Sequence, residues 1–426
     1  MIARTLLTVV SLTAASAALA APTTIHAGRV MAVPGKSILG PSTIIVDGGR
    51  IVSVQPGHIA PTTGAALIDL RDKMVLPGLI DSHVHLASDR GGEAGLLSFV
   101  REEPQMNALE AQMNGMKTLR AGFTTVRNLG DGGATLALRE AVKRGWVQGP
   151  RIVDAASSIS TTGGHMDGRG GLNDDLVAHL PTPENLCDGV DSCRKVVRRQ
   201  IDRGADVIKF ATTGGVNSGT GLATRMNEDE ARALIDTAHA YGRKVAVHAH
   251  GADGIKLALR AGADSIEHGT VMDDEIIKLM KAKGTYYVPT LSTVNGYLER
   301  LAANPNAYAP DVKKQIDWRI GITGQSLLKA APAGVKIAFG TDAGVSKHGR
   351  NAEEFELMVK YGMTPIEAIK AATVNAADLL GLASEIGTIE PGKSADLIAV
   401  AGDPIADVRV LKSVAFVMAR GDVIKD

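Results

Sequence analysis

Residues 74–85, MVLPGLIDSHVH, decide the fold prediction for this chain of 426 residues. They describe an apolar strand that leads directly into two histidines, His83 and His85. Side chains two positions apart on a strand point to the same face, so both imidazoles face the same way. A lone His-x-His pair is common by chance, and its meaning depends on what the rest of the chain places beside it.

Seven more short apolar stretches follow, and amphipathic helical stretches separate them. The seven are FTTVRNL, RIVDAA, DVIKFAT, KVAVHAH, SIEHG, YYVPTL and IAFGTDAG. Strands that alternate with helices in this way are typical of βα units around a parallel sheet. Together with the first strand they make eight, which predicts an α/β fold with a (β/α)8 TIM barrel over residues 76–385.

Both ends of the chain differ from this middle part. Residues 21–75 and 386–426 contain short β-branched stretches broken by glycine, proline and Asp-Gly pairs, which predict strands and turns. We expect the two ends to form one small β-sandwich domain beside the barrel.

Within the predicted barrel, Thr364, Pro365 and Glu367 have the spacing of a capping box, which predicts the start of the last barrel helix.

The composition excludes several classes of protein. The chain has 46 lysines and arginines against 46 aspartates and glutamates, so its formal net charge is zero. A neutral chain has no general attraction to nucleic acid or to anionic membranes, and we expect neither as a partner. The 48 glycines occur without any repeat, which argues against a collagen-like or low-complexity chain.

The first 20 residues, MIARTLLTVVSLTAASAALA, are typical of a signal peptide. Arg4 supplies a positive start, an apolar stretch follows, and Ala18-Leu19-Ala20 is a cleavage site of the A-x-A type. A membrane anchor is the weaker interpretation, because the apolar stretch is shorter than the roughly 20 residues that span a bilayer. We therefore predict a periplasmic or secreted protein.

Two cysteines, Cys187 and Cys193, stand close together in NLCDGVDSCRK. In an oxidising compartment they can close a small loop as a disulfide, which is our prediction. A zinc site is the rival interpretation, but it needs further soft ligands nearby and this stretch has none. Two buried thiols are the third interpretation.

Residue types that commonly bind metals recur at the ends of the predicted strands, where barrel enzymes carry their reactive groups. They are His83, His85, Lys209, His248, His268 and Asp342. Imidazole and carboxylate donors suit Zn²⁺, and also Mn²⁺ or Co²⁺. Six donors exceed what one tetrahedral ion uses, so we expect two divalent ions, with zinc favoured. Lys209 is unusual because its strand is otherwise apolar, although a lysine there can also extend to solvent.

The sequence resembles the amidohydrolase superfamily over essentially all of residues 23–426. The resemblance rests on LPGLIDSHVHL, KFATTGGV, VAVHAHG, SIEHGT, FGTDAG, TVNAADLLGL and GTIEPGKSADLIAV. Two further stretches, GGHMDG at residues 163–168 and LCDGVDSCRK, are similar to the branch of Xaa-Pro and Xaa-Arg dipeptidases. That branch resembles prolidases, N-acyl-amino-acid hydrolases and bacterial ochratoxin-hydrolysing amidases.

The resemblance implies a role for each metal-type residue. His83, His85 and Asp342 would hold the more buried ion, His248 and His268 the more exposed one, and Lys209, carboxylated on its amine, would bridge both. A hydroxide between the ions would attack the amide carbonyl. Asp342 would take its proton and pass it to the leaving nitrogen. A carbamate also explains the buried lysine, because it replaces a cation by an anion with two oxygen donors.

Four more residues are assigned to the substrate. His250 lies two residues after His248 on the same face and would polarise or orient the substrate, with a structural histidine as the alternative. By the resemblance, His165 helps to bind a substrate carboxylate, and a plain loop histidine is the alternative. Ser88 and His348 lie on the loops after the first and the eighth strand and are expected to line the pocket.

The resemblance implies an exported, metal-dependent amidohydrolase that cleaves the amide bond of dipeptides or N-acyl amino acids with a free carboxylate, ochratoxin A included. A one-metal deaminase or an imidazolonepropionase-like hydrolase of cyclic amides is an alternative, which Lys209 disfavours. Phosphotriesterase-like or lactonase activity is another. A non-catalytic binding barrel is disfavoured by the complete set of metal-type residues. Relatives of this branch are often homo-oligomers, octamers among them, so we expect an oligomer.

Overall fold

The computed structural model describes residues 22–218 and 220–426. The predicted signal peptide, residues 1–20, lies outside the described residues and stays a prediction. Among the helices of the described part, none combines the length and the apolar character that crossing a membrane requires.

The described residues form fourteen strands and fourteen α-helices. In chain order, the strands are β1 (Thr23–Val30), β2 (Ser42–Asp47), β3 (Arg50–Pro56), β4 (Ala66–Pro77), β5 (Leu79–Val84), β6 (Phe123–Asn128), β7 (Arg151–Asp154), β8 (Val207–Ala211), β9 (Lys244–Ala249), β10 (Ser265–His268), β11 (Tyr286–Val288), β12 (Leu397–Val400), β13 (Val414–Ala419) and β14 (Asp422–Lys425). The helices are α1 (Gly92–Arg101), α2 (Met106–Arg120), α3 (Gly133–Lys143), α4 (Asp174–His179), α5 (Val190–Asp202), α6 (Glu228–Ala240), α7 (Ala252–Ala261), α8 (Asp274–Lys283), α9 (Thr293–Ala303), α10 (Pro310–Gly321), α11 (Gln325–Ala330), α12 (Glu353–Lys360), α13 (Pro365–Lys370) and α14 (Ala376–Leu379). A π-helix, Ala371–Asn375, joins α13 to α14, and a 3-10 helix covers Val408–Lys412.

Both ends of the chain contribute to one seven-stranded sheet, in the order β14-β13-β12-β4-β1-β2-β3. The expected sandwich of two sheets is therefore a single sheet among the described residues. The reason is β4, whose 12 residues pair with β1 on one side and with β12 on the other, so hydrogen bonding continues across the sheet. Apolar side chains from both halves of this sheet share one core.

The stretch MVLPGLIDSHVH is divided between two sheets. β4 runs through Pro77, and β5 starts at Leu79. Proline lacks the N–H group that a strand interior needs. Gly78 passes close to β6, because a Cβ there would lie 2.2 Å from Thr124 Oγ1. The predicted boundary between end domain and barrel, at residues 75 and 76, thus falls just inside β4.

Two parallel sheets form the middle of the chain, β5-β6-β7 and β8-β9-β10-β11. Their strands are mostly buried, as expected for parallel strands covered on both faces. Hydrogen bonds connect β7 to β8. The backbone N–H of Asp206 donates to the carbonyl of Asp154 (2.7 Å), and the backbone N–H of Ile159 donates to the carbonyl of Lys209 (2.8 Å).

The eighth predicted strand, IAFGTDAG, does not form a regular strand. Residues 336–343 nevertheless lie between β11 and β5: Ala338 donates to the carbonyl of Tyr287 (3.0 Å), and the carbonyl of Phe339 accepts a hydrogen bond from β5 (2.8 Å). Asp342 has a φ of 56°, outside the extended range, so the ladder breaks there. The described residues thus form a mixed α/β fold, and a closed barrel stays a prediction.

Helix α13 begins at the predicted capping box. Glu367 N donates to Thr364 Oγ1 (3.4 Å), and Thr364 N donates to Glu367 Oε2 (2.8 Å). Pro365 occupies the first helical position, where its missing N–H costs nothing. This helix start is confirmed.

The structure joins Cys187 and Cys193 by a disulfide. Cys187 lies just before α5, and Cys193 lies in its first turn. Both side chains are buried in the main apolar core, so the bond ties this loop to the body of the protein.

Candidate active site

A cavity of about 510 Å³ opens at the carboxyl ends of the parallel strands. Its wall includes side chains of β5, β8, β9 and β10 and of the segment after residue 341. All six predicted metal-type residues line it: His83, His85, Lys209, His248, His268 and Asp342. The fold therefore gathers residues that are spread from position 83 to position 342 of the chain.

A larger cavity, about 710 Å³, lies where β7, β8 and β9 begin. Its wall contains Arg151, Val207 and Lys244 but none of the predicted site residues. Parallel barrels carry their reactive groups at the carboxyl ends of the strands. The smaller cavity is therefore the candidate active site.

His83, His85 and Asp342 form the first group of donors. Asp342 Oδ1 lies 3.5 Å from Nε2 of His83 and 3.5 Å from Nε2 of His85. The backbone N–H of Asp342 donates to the carbonyl of His83 (2.7 Å), which fixes the two segments to each other. Two imidazole nitrogens and a carboxylate oxygen thus converge on one point.

A carboxylate holds each of these imidazoles from behind. Nδ1 of His83 lies 2.8 Å from Glu267 Oε2, and Nδ1 of His85 lies 3.1 Å from Asp131 Oδ1. Such contacts set the ring orientation and leave Nε2 available, which is typical of histidines that bind metals. Burial raises the pKa of Glu267, but the charge of Arg127 and the contact with His83 outweigh burial and lower it to about 2.

Arg127 is buried beside Glu267 and completes this network. Its Nη2 donates to Glu267 Oε1 (2.8 Å), its Nε to the carbonyl of Ser82 (2.6 Å) and its Nη1 to Ser265 Oγ (3.1 Å). Sequence reasoning missed Arg127 and Glu267, although both stand in strands that it used, FTTVRNL and SIEHG. The available signal is a charged residue inside an otherwise apolar strand, the same signal that singled out Lys209.

His248, His250 and His268 form the second group of donors. One ring nitrogen of each lies within 4.8 Å of the other two. Burial lowers the pKa of all three imidazoles well below the usual value, so the rings are neutral and offer lone pairs. His268 also lies within 4.8 Å of donor atoms of His83 and Asp342, and it therefore connects the two groups.

Threonine hydroxyls orient two of these rings. Nδ1 of His268 lies 2.7 Å from Thr290 Oγ1, and Nδ1 of His250 lies 2.7 Å from Thr270 Oγ1. His250 is placed as closely to the group as His248 and His268 are. Its geometry is therefore compatible with metal binding as well as with the predicted contact to substrate.

Three residues of the site have a strained backbone. The φ angles of His268, Thr290 and Asp342 are 69°, 47° and 56°. Residues other than glycine rarely adopt this left-handed region, and each instance costs about 1–3 kcal/mol. Such strain concentrates at functional sites, because packing elsewhere in the fold stabilises it.

Lys209 lies within reach of the first group of donors. It is fully buried on β8, and its Nζ lies 3.3 Å from Nε2 of His83. Burial lowers its pKa to about 8, although the charges of Glu267 and Asp342 oppose this. Imidazoles, a carboxylate and a buried lysine, oriented by carboxylates and hydroxyls behind them, form a donor set that can hold divalent metal.

Three of the four residues assigned to the substrate line the cavity: Ser88, His165 and His250. The ring of His165 stacks on that of His248, with 4.3 Å between the ring centres. Nδ1 of His165 lies 3.1 Å from Ser218 Oγ, which sets the direction of its other ring nitrogen. These three residues, predicted from sequence, thus do reach the cavity.

His348 does not line the cavity. It is buried, with Nε2 2.9 Å from the carbonyl of His85 and Nδ1 3.2 Å from Thr118 Oγ1. Because both ring nitrogens contact protein, the structure does not bring His348 to the cavity wall, and its role in lining the pocket stays a prediction. His348 instead supports the backbone of His85 from behind.

Tyr297 of α9 and Arg319 of α10 also line the cavity. Sequence reasoning missed both. They stand in amphipathic helices without a motif, and only the packing of these helices against the strand ends brings them to the site.

Residues 74–424 match the model of the amidohydrolase family. The chain belongs to the amidohydrolase family. It is a hydrolase that acts on amide bonds, and the predicted enzyme class is confirmed.

This amidohydrolase is similar to proteins of known name and to proteins whose structures have been solved. Ochratoxinase of Aspergillus niger is 31% identical over 373 residues, which cover 83% of this chain and 76% of ochratoxinase. A Xaa-Pro dipeptidase with methionine bound in its active site has a TM-score of 0.90 at 40% identity, over 95% of this chain and 100% of that chain. A prolidase complexed with N-methylphosphonate-L-proline has a TM-score of 0.86 at 32% identity, over 95% and 99% of the two chains. The predicted resemblance is confirmed.

Proposed function

We propose that this amidohydrolase is an exported metalloenzyme that cleaves the amide bond of dipeptides or N-acyl amino acids, ochratoxin A among them. The observation that carries the proposal is the set of histidine and carboxylate donors that converge in one cavity beside a buried lysine. Its similarity to a dipeptidase, a prolidase and an ochratoxinase supports the substrate class.

Two divalent ions, with zinc favoured by the donors, would supply an activated water and polarise the substrate carbonyl. His83, His85 and Asp342 would hold one ion, and His248 and His268 the other. Lys209, as a carbamate, would provide one oxygen to each. Its pKa of about 8 supports this modification, because roughly a tenth of such amines are uncharged at pH 7 and able to react with carbon dioxide.

Asp342 is placed to move the proton of the reaction. Burial raises the pKa of its carboxyl group, although the charges of His85 and Lys209 oppose this. A carboxylate of raised basicity can accept a proton from the attacking water and release it to the leaving nitrogen. With this proton the nitrogen leaves as a neutral amine.

The remaining cavity residues would position the substrate. His250 has Nδ1 occupied by Thr270, so its Nε2 is the atom that would orient the substrate carbonyl. His165 and Ser88 lie elsewhere in the cavity wall. By the resemblance, His165 would help to bind the substrate carboxylate, and Ser88 would line the pocket.

We infer that β5 to β11 and residues 336–343 close into a (β/α)8 barrel. The hydrogen bonds between β7 and β8, and those on both sides of residues 336–343, support closure. A barrel would also explain why donors from four different strands meet at one mouth.

The proposed function is tested with metal-loaded protein and a library of dipeptides and N-acyl amino acids. We expect two ions per chain and cleavage of amide bonds. Lys209→Ala should lose metal and more than about 100-fold in kcat/KM, whereas Lys278→Ala, at an exposed position of α8, should retain both. Undiminished activity of Lys209→Ala, or cleavage of lactones or phosphate esters but no amides, contradicts the proposal.

Export to the periplasm or the medium is supported by the disulfide, because such bonds persist in oxidising compartments. Sequencing the N-terminus of the protein recovered from its producing cells tests this. We expect Ala21 as the first residue. An uncleaved chain in the cytoplasmic fraction contradicts export.

A homo-oligomer is supported by an exposed apolar stripe on α2, and an octamer is one form that relatives of this branch take. Met106, Leu109 and Met113 are 45%, 65% and 50% exposed, and their spacing places them on one helix face. We propose that this stripe contacts a second copy of the chain. Light scattering should give a multiple of the chain mass that Leu109→Glu reduces, and a monomeric wild type contradicts the proposal.

A further inference from the structure

Two arginines are buried among the described residues, and they differ in their partners. Arg127 pairs with Glu267, whereas no ion pair of the described residues includes Arg319. Arg319 is 3% exposed and lines the active-site cavity. The one hydrogen bond of its guanidinium within the described part runs from Nη1 to Thr323 Oγ1 (3.0 Å).

Burying an arginine without a counter-charge costs free energy. Such a residue in a cavity wall therefore indicates an anionic partner from outside the chain. Nε and Nη2 of Arg319 form one edge of the guanidinium. They have no partner in the described residues, and they keep access to the cavity.

The groups around Arg319 do not neutralise it. Burial raises the pKa of Tyr287 and Tyr297, so both phenols keep their protons. Among the described residues, no carboxylate lies within ion-pair distance of this guanidinium at the cavity wall.

We infer that Arg319 binds the free carboxylate of the leaving amino acid and thereby selects substrates that carry one. The inference rests on the proposed function, in which dipeptides and N-acyl amino acids all have a carboxylate on the leaving side. A guanidinium edge offers two parallel N–H groups, which match the two oxygens of a carboxylate. Arg319 is thus a specificity-determining residue that touches the substrate.

The surface beside Arg319 indicates which leaving amino acids fit. Val216, Tyr297 and Val345 line the cavity and belong to one apolar cluster. Ile316, on the same helix as Arg319, is part of that cluster. A leaving amino acid with an apolar side chain can therefore place its carboxylate on Arg319 and its side chain on this surface.

The test compares two amides, N-acetyl-L-phenylalanine and N-acetylphenethylamine, which share the amide and the ring but differ in the carboxylate. Wild type should prefer the first by about 100-fold or more in kcat/KM, as expected for a desolvated charge pair. Arg319→Leu should bring the ratio close to one, mainly through KM, and Arg319→Lys should restore part of it. Arg232→Leu, at an exposed position of α6, is the matched control and should keep the wild-type ratio.

Product binding is a second measurement that does not need turnover. Calorimetry with L-phenylalanine and with phenethylamine should show that Arg319→Leu weakens only the first. The variant should fold, because removing an unpaired buried charge does not cost stability, and thermal unfolding checks this.

An unchanged substrate ratio, or unchanged L-phenylalanine binding in Arg319→Leu, overturns the inference. If wild type cleaves no amide, the proposed function fails instead. Product binding then still decides whether Arg319 recognises a carboxylate.

Discussion

Replacing Arg127 by methionine tests whether a buried charge network holds the metal-type residues in place. Arg127 is 2% exposed, and its Nη2 lies 2.8 Å from a carboxylate oxygen of Glu267, which is itself fully buried. The other oxygen of Glu267 lies 2.8 Å from Nδ1 of His83. Methionine keeps an apolar stem but removes the charge and three hydrogen bonds. Glu267 would then be a buried charge that has lost its ion-pair partner.

The structure sets the expected size of the effect. Two unit charges 2.8 Å apart attract by about 6 kcal/mol at an effective dielectric constant of about 20. Desolvation offsets part of this, and breaking a buried pair from one side costs roughly 3–5 kcal/mol. The pKa agrees: the network lowers that of Glu267 from 4.5 to about 2, a difference worth about 3 kcal/mol. We therefore expect a loss of about 3–5 kcal/mol in the free energy of unfolding.

Denaturant unfolding of the metal-free protein measures this loss in a double-mutant cycle of Arg127→Met, Glu267→Gln and the double variant. The double variant should recover part of the loss, because its glutamine carries no charge, with a coupling of at least about 2 kcal/mol. Arg127→Met should also bind metal about 10- to 100-fold more weakly, because the carboxylate behind His83 is disturbed.

Arg139→Met is the matched control, because Arg139 pairs with Asp206 at a partly exposed position. It should cost less than about 1 kcal/mol. The reasoning is refuted if the free energy of unfolding of Arg127→Met lies within about 1 kcal/mol of that of wild type. It is also refuted if the effects of the two single substitutions simply add in the double variant.

Three further predictions concern other parts of the molecule. Reducing the disulfide Cys187–Cys193 should lower the free energy of unfolding by about 2 kcal/mol, the loop-closure value for so short a loop. Denaturant unfolding curves with and without reductant measure this loss, and an unshifted midpoint would contradict the prediction. Burial raises the pKa of Glu354 from 4.5 to about 7. Between these two pH values the folded state keeps a proton that the unfolded state releases, so the free energy of unfolding falls as the pH rises. Glu354→Gln should reduce this pH dependence in unfolding curves measured at several pH values. Gly215→Ala should displace His165, because a Cβ would lie 2.1 Å from its ring, and kcat/KM should fall by about 10- to 100-fold at unchanged metal content.

Gly168→Ala is the control for the last of these, because a Cβ at Gly168 meets no atom within 4 Å. It should keep wild-type kcat/KM. Wild-type kcat/KM in Gly215→Ala would mean that the position of His165 does not matter for the substrate.

Much of the candidate site could be predicted from sequence. His83 and His85 were recognisable because alternation along a strand is a local property, and Lys209 because a charge interrupts an apolar strand. Capping at Thr364 was equally local. Such patterns depend on residues a few positions apart.

Other features could not be predicted in this way. The expected sandwich became one sheet because β4 pairs on both of its edges, which no local pattern encodes. His348 stands on a predicted site loop, yet its ring turns back to the carbonyl of His85. The direction of a loop side chain depends on what packs around the loop.

The sequence by itself determined the residue types, the alternation of strands and helices, and the order of metal-type residues along the strand ends. Only the tertiary structure decided that Glu267 holds His83 and that Arg127 neutralises Glu267. It also decided that Arg319 lines the cavity with no ion-pair partner among the described residues. These contacts join residues far apart in the chain. The cost of burying a charge depends on which groups the fold brings beside it, and that is set by packing rather than by local sequence.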